Sequence, residues 1–282
     1  MSPPRIATAF RAACRAELDA LKVGNVHRFA AGHGMEVAHF EHAAEAAAPY
    51  IAAAGVQVGA RIEAAVAASL AVAGLNTNLG ILLLCAPLAA AAERGGMAGE
   101  GSLHGALKLV LARLDMNDAE ATFRAIAAAS PGGLGRHPEH DVAAPPRIGL
   151  IEAMALAAER DRIARQYVTD FADVFELGLP RLIELADAEP QARTEAVHLS
   201  YLAAFPDSHI LRKFGAVIAE DVRQEARRLA AKVDFRAPAA RRHPPLLAFD
   251  AALKARGLNP GTSADLTVAT LFAALLAEEF RP

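Results

Sequence analysis

Gly74-Leu75-Asn76-Thr77-Asn78-Leu79-Gly80-Ile81-Leu82-Leu83-Leu84-Cys85-Ala86-Pro87 is the stretch on which the fold turns. It lies within a longer segment, Ala67 to Ala92, that carries no charge and so has the character of a membrane span. A bilayer crossing takes about 20 consecutive apolar residues, and Asn76, Thr77 and Asn78 cut the segment into shorter pieces. The pattern therefore predicts two buried helices meeting at a polar junction. Leu79 to Ala92 is apolar on every face, which places it at the centre of a helical core. Pro87 is expected to kink it or to open a new segment.

Upstream, Ile6 to Leu21 has helical periodicity and ends at Lys22-Val23-Gly24. A polar loop, Gly24 to Met35, leads into a helix expected over Glu36 to about Ala54. His39, His42 and Glu45 share its outer face, where helical spacing favours a solvated surface over a metal trio. Val58, Ile62, Val66 and Leu70 mark the next helix.

Downstream, Glu93 to Gly101 is rich in glycine. Leu103, Leu107 and Leu111 stripe one helix, and Asn117 with Glu120 reads as a capping box opening another. Residues 130 to 147 form a long Gly- and Pro-rich loop carrying Arg136, His137, Glu139, His140 and Asp141, a density of titratable groups that points to function. A long helix is expected from Ile148 to about Leu177, with Asp161 and Arg165 paired on its surface. Further helices are expected at 181–188, 191–204 and 208–231. Lys232 to Pro245 reads as a basic connection. The chain closes with Gly257-Leu258-Asn259-Pro260-Gly261-Thr262-Ser263-Ala264-Asp265-Leu266, a polar turn entering an apolar helix, with Thr262 as its cap and Asp265 as the partner in a shortened capping box. The sum is an all-α protein of ten or more helices, read as one domain over 1–282.

Composition supports that fold and narrows the partners. Hydrophobic residues make up 54% and aromatics 5%, so alanine and leucine must supply most of the packing. A formal net charge of -3 gives no footprint for nucleic acid or an anionic membrane. Two cysteines, Cys14 and Cys85, are too few for a disulfide scaffold. Met1-Ser2-Pro3-Pro4 lacks the basic and apolar run of a secretory signal, so a cytoplasmic location is expected.

Small polar clusters recur where helices meet: Asn25 to His33, Asn76 to Asn78, His137 to Asp141, Asp207 to His209 and Asn259 to Asp265. Each alone is explained by capping and turn chemistry, but their number suggests a shared cavity. GxxxxGK[ST], GxGxxG after a strand, GxSxG and HExxH are absent from the chain, which removes the usual support for nucleotide hydrolysis, hydride transfer and zinc proteolysis.

In order and spacing, Gly24-Asn25-Val26-His27 through Gly32-His33-Gly34-Met35, then Asn76-Thr77-Asn78-Leu79-Gly80, Asp207-Ser208-His209, and Gly257 through Leu266 resemble the motifs of triphosphoribosyl-dephospho-CoA synthases. The resemblance spans about residues 15 to 276. It implies an all-helical transferase that moves a triphosphoribosyl group from ATP to the ribose 2′-hydroxyl of dephospho-CoA and releases adenine. Better-known members read GAHxDM and NTHKG where this chain has His33-Gly34-Met35 and Asn76-Thr77-Asn78-Leu79-Gly80. The chain thus looks like a divergent branch, of the kind found in archaea and one-carbon-metabolising bacteria, where another cofactor precursor can be the acceptor.

Roles follow from what that chemistry needs. Breaking the bond between adenine and ribose C1′ passes through an oxocarbenium-like transition state. Mg2+ is expected to neutralise the triphosphate through a few carboxylates, for which Asp265, Asp207 and Asp141 are the candidates. His33 or His27 would move the proton, and Asp265 is counted with them as catalytic. Asn25, Asn76, Thr77, Asn78, Asn259, Gly261 and Ser263 are candidates for phosphate or ribose oxygens, with helix-start amides adding donors. Arg212 and Lys213 are candidates for the phosphates themselves. Competing readings are an enzyme of one-carbon carrier cofactor synthesis with a different donor or acceptor, a non-catalytic nucleotide-binding protein, and a structural helical subunit. Alanine- and leucine-rich helices leave room for a homodimer.

Overall fold

Fourteen α-helices carry the described residues, and no strand occurs among them. The computed structural model describes residues 1–94, 102–130 and 144–278. The first helices are α1 (Pro3–Asp19), α2 (Val37–Ile51), α3 (Val58–Ala73), α4 (Leu79–Arg94), α5 (Leu103–Leu111) and α6 (Met116–Ala129). After them come α7 (Leu150–Ala157), α8 (Arg162–Val168), a π-helical turn (Asp173–Gly178) and α9 (Leu179–Glu184). The chain ends with α10 (Pro190–Ala204), α11 (Ser208–Phe214), α12 (Ala216–Ala230), α13 (Ala239–Ala255) and α14 (Gly261–Ala277).

Two helices are buried nearly all round, and the rest wrap them. In α4, Leu82, Leu84, Cys85, Ala86, Leu88 and Ala89 have no exposed surface. Helix α14 packs against α1, α4 and α10, and its alanines and threonines let those backbones come close. Thr267 and Thr270 donate to the carbonyls of Ser263 and Leu266 one turn back, which satisfies their hydroxyls inside the core. A second cluster, built on α10, α12 and α13, takes in Leu21, Val23 and Leu258 from the segments after α1 and before α14. Those two segments are therefore held side by side.

Several boundaries differ from the sequence reading. Helix α4 runs straight through Pro87. A proline leaves the carbonyl four residues back without its amide partner; here that carbonyl, of Leu83, accepts the Tyr167 hydroxyl at 2.6 Å. The long helix expected over 148–177 is broken. Asp161 turns from a helix surface residue into the cap of α8, accepting the amides of Ile163 and Ala164, and its ion-pair partner is Arg212 rather than Arg165. Asp170 and Phe171 then take positive φ before the π-helical turn, with His104 donating to the Asp170 carbonyl at 2.8 Å. Gly215 divides 208–231 into α11 and α12, and α13 runs through Pro244 and Pro245 where a connection was expected. The capping box before α6 is Asp115 with Asp118, two residues ahead of Asn117 and Glu120. Glu36 and His39 make another at α2.

Candidate active site

The starts of α4, α11 and α14 and the loop after α1 open on one cavity of about 760 Å³. The first turns of α4, α11 and α14 thus border it, with the Leu79 amide taken by Asn76 and the His209, Ile210 and Ser263 amides by Asp207. Ten of the sequence-predicted residues line it: His33, Asn25, Asn76, Thr77, Asn78, Arg212, Lys213, Asn259, Gly261 and Asp265. Four clusters separated along the chain are therefore brought together. The fifth, with Asp141, lies outside the described residues, although Ala129 and Ser130 at the end of α6 reach the cavity edge.

Three predicted site residues are elsewhere. Asp207 is fully buried and its oxygens are taken up: Oδ1 accepts the amides of His209 and Ile210 at 2.9 and 3.2 Å. Oδ2 accepts both the amide and the hydroxyl of Ser263 at 2.8 Å. This one carboxylate caps α11 and serves the first turn of α14 as well, so Asp207 and Ser263 tie helices together instead of lining the cavity. Thr262, expected as the cap of α14, makes no capping bond because Asp207 has taken the role. His27 is buried behind the loop, with Nε2 3.2 Å from Asp250 of α13. Lys254, one turn on, reaches Asp250, the Ala30 carbonyl and His27. His27 therefore anchors the loop to α13.

His33 sits on the cavity side of the same loop at φ 56°, held by a 2.7 Å bond from Nε2 to the Gly24 carbonyl. A carbonyl only accepts, so Nε2 carries a proton, and in the neutral ring Nδ1 is the nitrogen with the lone pair. Gly24 itself has φ +78°, and a side chain there would run into Leu253 and Pro260 at 2.8 Å. Its amide donates to Asp250 at 2.8 Å, so the carbonyl that orients His33 is fixed from α13.

Asp265, one turn into α14, lies against Gly80 of α4. Its carboxylate has no hydrogen-bond or ion-pair partner among the described residues. Burial pushes its pKa well above the usual carboxylate range, and Asp207 and Glu17 add to this while Arg212 opposes it. The neighbouring acids are engaged: Glu17 by Lys22, Asp161 by Arg212 at 2.6 Å. Asn76 caps α4 through the Leu79 amide at 3.1 Å, and Asn78 donates to Ser69.

Two lining residues escaped the sequence reading of the site. Arg160, just before α8, adds a cation to Arg212 and Lys213 at the mouth; it was hidden inside what looked like a continuous helix. His209 was visible in the Asp207-Ser208-His209 cluster but carried no assigned role. Burial, followed by Lys213, Arg212 and His33, lowers its pKa to about 3 and keeps the ring neutral. Phe40, Phe123, Ile126, Leu150 and Met154 add apolar lining.

The sequence profile of the ATP:dephospho-CoA triphosphoribosyl transferases (CitG) matches residues 3–282. The chain belongs to the triphosphoribosyl-dephospho-CoA synthase family. It is therefore a transferase by family, as the motifs implied. The crystal structure of an Archaeoglobus fulgidus protein assigned as a triphosphoribosyl-dephospho-CoA synthase superposes with a TM-score of 0.64 at 29% identity, covering 85% of this chain and 99% of that one. No curated protein matches the chain. In this synthase-family member no described helix is long and apolar enough to cross a membrane. Among its described residues no three His, Cys, Asp or Glu side chains gather at metal spacing, so the expected trio of Asp265, Asp207 and Asp141 does not form a described metal site.

Proposed function

We propose that the cavity binds ATP and transfers its triphosphoribosyl group to the ribose 2′-hydroxyl of dephospho-CoA, releasing adenine. The observation that carries this reading is one cavity lined by Arg160, Arg212 and Lys213, by apolar side chains, and by the half-buried Asp265 carboxylate, which has no partner among the described residues. Arg160, Arg212 and Lys213 suit the triphosphate, Arg212 with a forked donor set oriented by Asp161. The apolar lining suits a flat base. The family's better-known members place a lysine in the motif where this chain has the buried Leu79, and the α11 cations with Arg160 supply positive charge from another side.

In the reaction the glycosidic bond to adenine breaks, and the acceptor oxygen bonds to ribose C1′. The hydroxyl proton lost by the acceptor equals the proton adenine gains, so the exchange is proton-neutral. His33 would take the hydroxyl proton at Nδ1, a reading supported by its Nε2 being held by the Gly24 carbonyl. Asn76, Thr77, Asn78 and Gly261 offer amides, a hydroxyl and backbone to phosphate and ribose oxygens, and Asn259 offers its amide to phosphate.

The donor set fits a magnesium ion of modest demands. Mg2+ needs only one or two carboxylates alongside substrate phosphates and waters, and Asp265 is the cavity carboxylate without a partner among the described residues. Asp265 would hold it, and the ion would offset the triphosphate charge. We carry the cytoplasmic location, the single domain over 1–282 and the homodimer as parts of the same proposal; light scattering tests the last.

The test is incubation with ATP and dephospho-CoA, with adenine followed by chromatography and the product by mass. Adenine release that depends on dephospho-CoA is expected. Release only with a different acceptor would move the protein to another cofactor pathway, and tight ATP binding without any release would make it a binding protein.

A further inference from the structure

Lys22, Asn25 and Asn259 form a chain of hydrogen bonds whose direction can be read from chemistry alone. Lys22 is buried, with its side chain 1% exposed, and its ammonium bonds Glu17 on one side and Asn25 Oδ1 at 3.0 Å on the other. A lysine ammonium only donates, so the oxygen of Asn25 must be the atom that faces it. The nitrogen of Asn25 therefore points the other way, where it donates to Asn259 Oδ1 at 2.8 Å. With its oxygen committed, Asn259 has one orientation left. Its NH2 has no partner among the described residues, and Asn259 lines the cavity although only 8% exposed.

We propose that Asn25, itself fixed by the buried Lys22, is a positioning residue that turns Asn259 so that its NH2 donates to a bound polyphosphate. An isolated asparagine can present either end to a ligand, and its carbonyl end would repel a phosphate. The relay removes that choice before the ligand arrives, which is preorganisation of a donor in a water-poor site. It also reassigns Asn25 from phosphate contact to support. Lys22 acts at one further remove and does not line the cavity. The inference rests on the reading that the cavity takes a polyphosphate.

Calorimetric titration of sodium tripolyphosphate and, separately, adenosine into wild type, Asn25→Leu, Asn259→Leu and the double variant tests it. Loss of an oriented hydrogen bond to a charged group weakens binding about tenfold. Asn259→Leu is expected to raise the tripolyphosphate Kd by about that factor, and Asn25→Leu by about threefold to tenfold. The double variant should be no weaker than Asn259→Leu, because Asn25 acts only through Asn259. Adenosine affinity should stay unchanged throughout. Multiplying effects in the double variant would show that Asn25 touches the anion itself and would overturn the relay, as would an unchanged Asn25→Leu. A wild type that binds ATP but no tripolyphosphate would overturn the relay alone; one that binds neither would overturn the cavity reading too. If Asn25→Leu does not fold by circular dichroism, Asn25→Ser takes its place in the same cycle.

Discussion

The carboxylate of Asp265 occupies the space that a side chain on Gly80 would need: a Cβ built on Gly80 lies 2.1 Å from Asp265 Oδ2. The two residues are in different helices, α14 and α4, and the missing methyl is what lets the acid approach the cavity floor. Alanine is a better helix former than glycine by about 1 kcal/mol, so a helix designed in isolation would prefer it. Here Gly80→Ala is expected to displace the carboxylate and lower turnover at least about hundredfold, because a shift of about 1 Å at a reacting centre carries that cost. Steady-state adenine release checks it; full activity would show that Asp265 is not at the centre.

Asp265→Asn separates stability from function. With a native pKa raised above the unfolded value, the acid holds its proton more tightly when folded, so stability falls as pH rises from the ordinary carboxylate range, about 4, through the raised native pKa. Removing the titration removes that loss. Asp265→Asn should be the more stable protein in denaturant titrations near neutral pH, with the gap closing as pH falls towards 4, while turnover drops about a hundredfold or more. Equal stability at all pH values would contradict the assignment of a desolvated, unpartnered acid.

Asp207 makes the opposite prediction. Asp207→Ala loses a cap on α11 and both bonds to Ser263, and should destabilise the fold by about 2–4 kcal/mol. Asp207→Asn should keep the wild-type magnesium dependence of activity. A shift in that dependence would return Asp207 to the metal.

Arg212 is held by Asp161 at 2.6 Å with its side chain 16% exposed. Arg212→Ala should weaken ATP about tenfold to hundredfold and adenosine far less. Arg212→Lys should recover part of the loss, since lysine keeps the charge but not the fork. Equal losses for ATP and adenosine would place Arg212 away from the phosphates.

His209, with a pKa lowered to about 3, is already uncharged at neutral pH. His209→Gln should therefore leave the shape of the pH–rate profile unchanged between about pH 5 and about pH 8, whatever it does to the rate. A limb that vanishes in this variant would mean that bound substrate restores a titrating imidazole.

Helix content and most junctions were legible in the sequence because helical periodicity is local. Leu79 to Ala92 reads as a central helix, and α4 is one. The breaks within 148–177 were not legible, since nothing between Leu156 and Asp161 resembles a stop signal; Asp161 caps α8 through Oδ1 while its Oδ2 meets Arg212, 51 residues away. Pro87 failed to break α4 for a similar reason, a hydroxyl arriving from Tyr167.

The sequence by itself determined an all-helical chain with polar clusters at the helix starts, and its motifs pointed to the family. Composition, periodicity and turn residues act over a few positions, so spacing along the chain carries them. Only the tertiary structure showed which of His33 and His27, and which of Asp265 and Asp207, lines the cavity. Each pair has the same chemistry and similar local context, but His27 and Asp207 are consumed by partners from α13 and α14, whereas His33 and Asp265 face the cavity. Whether a polar group is free for a ligand depends on which distant groups have already met its hydrogen-bonding capacity, and that is a property of packing.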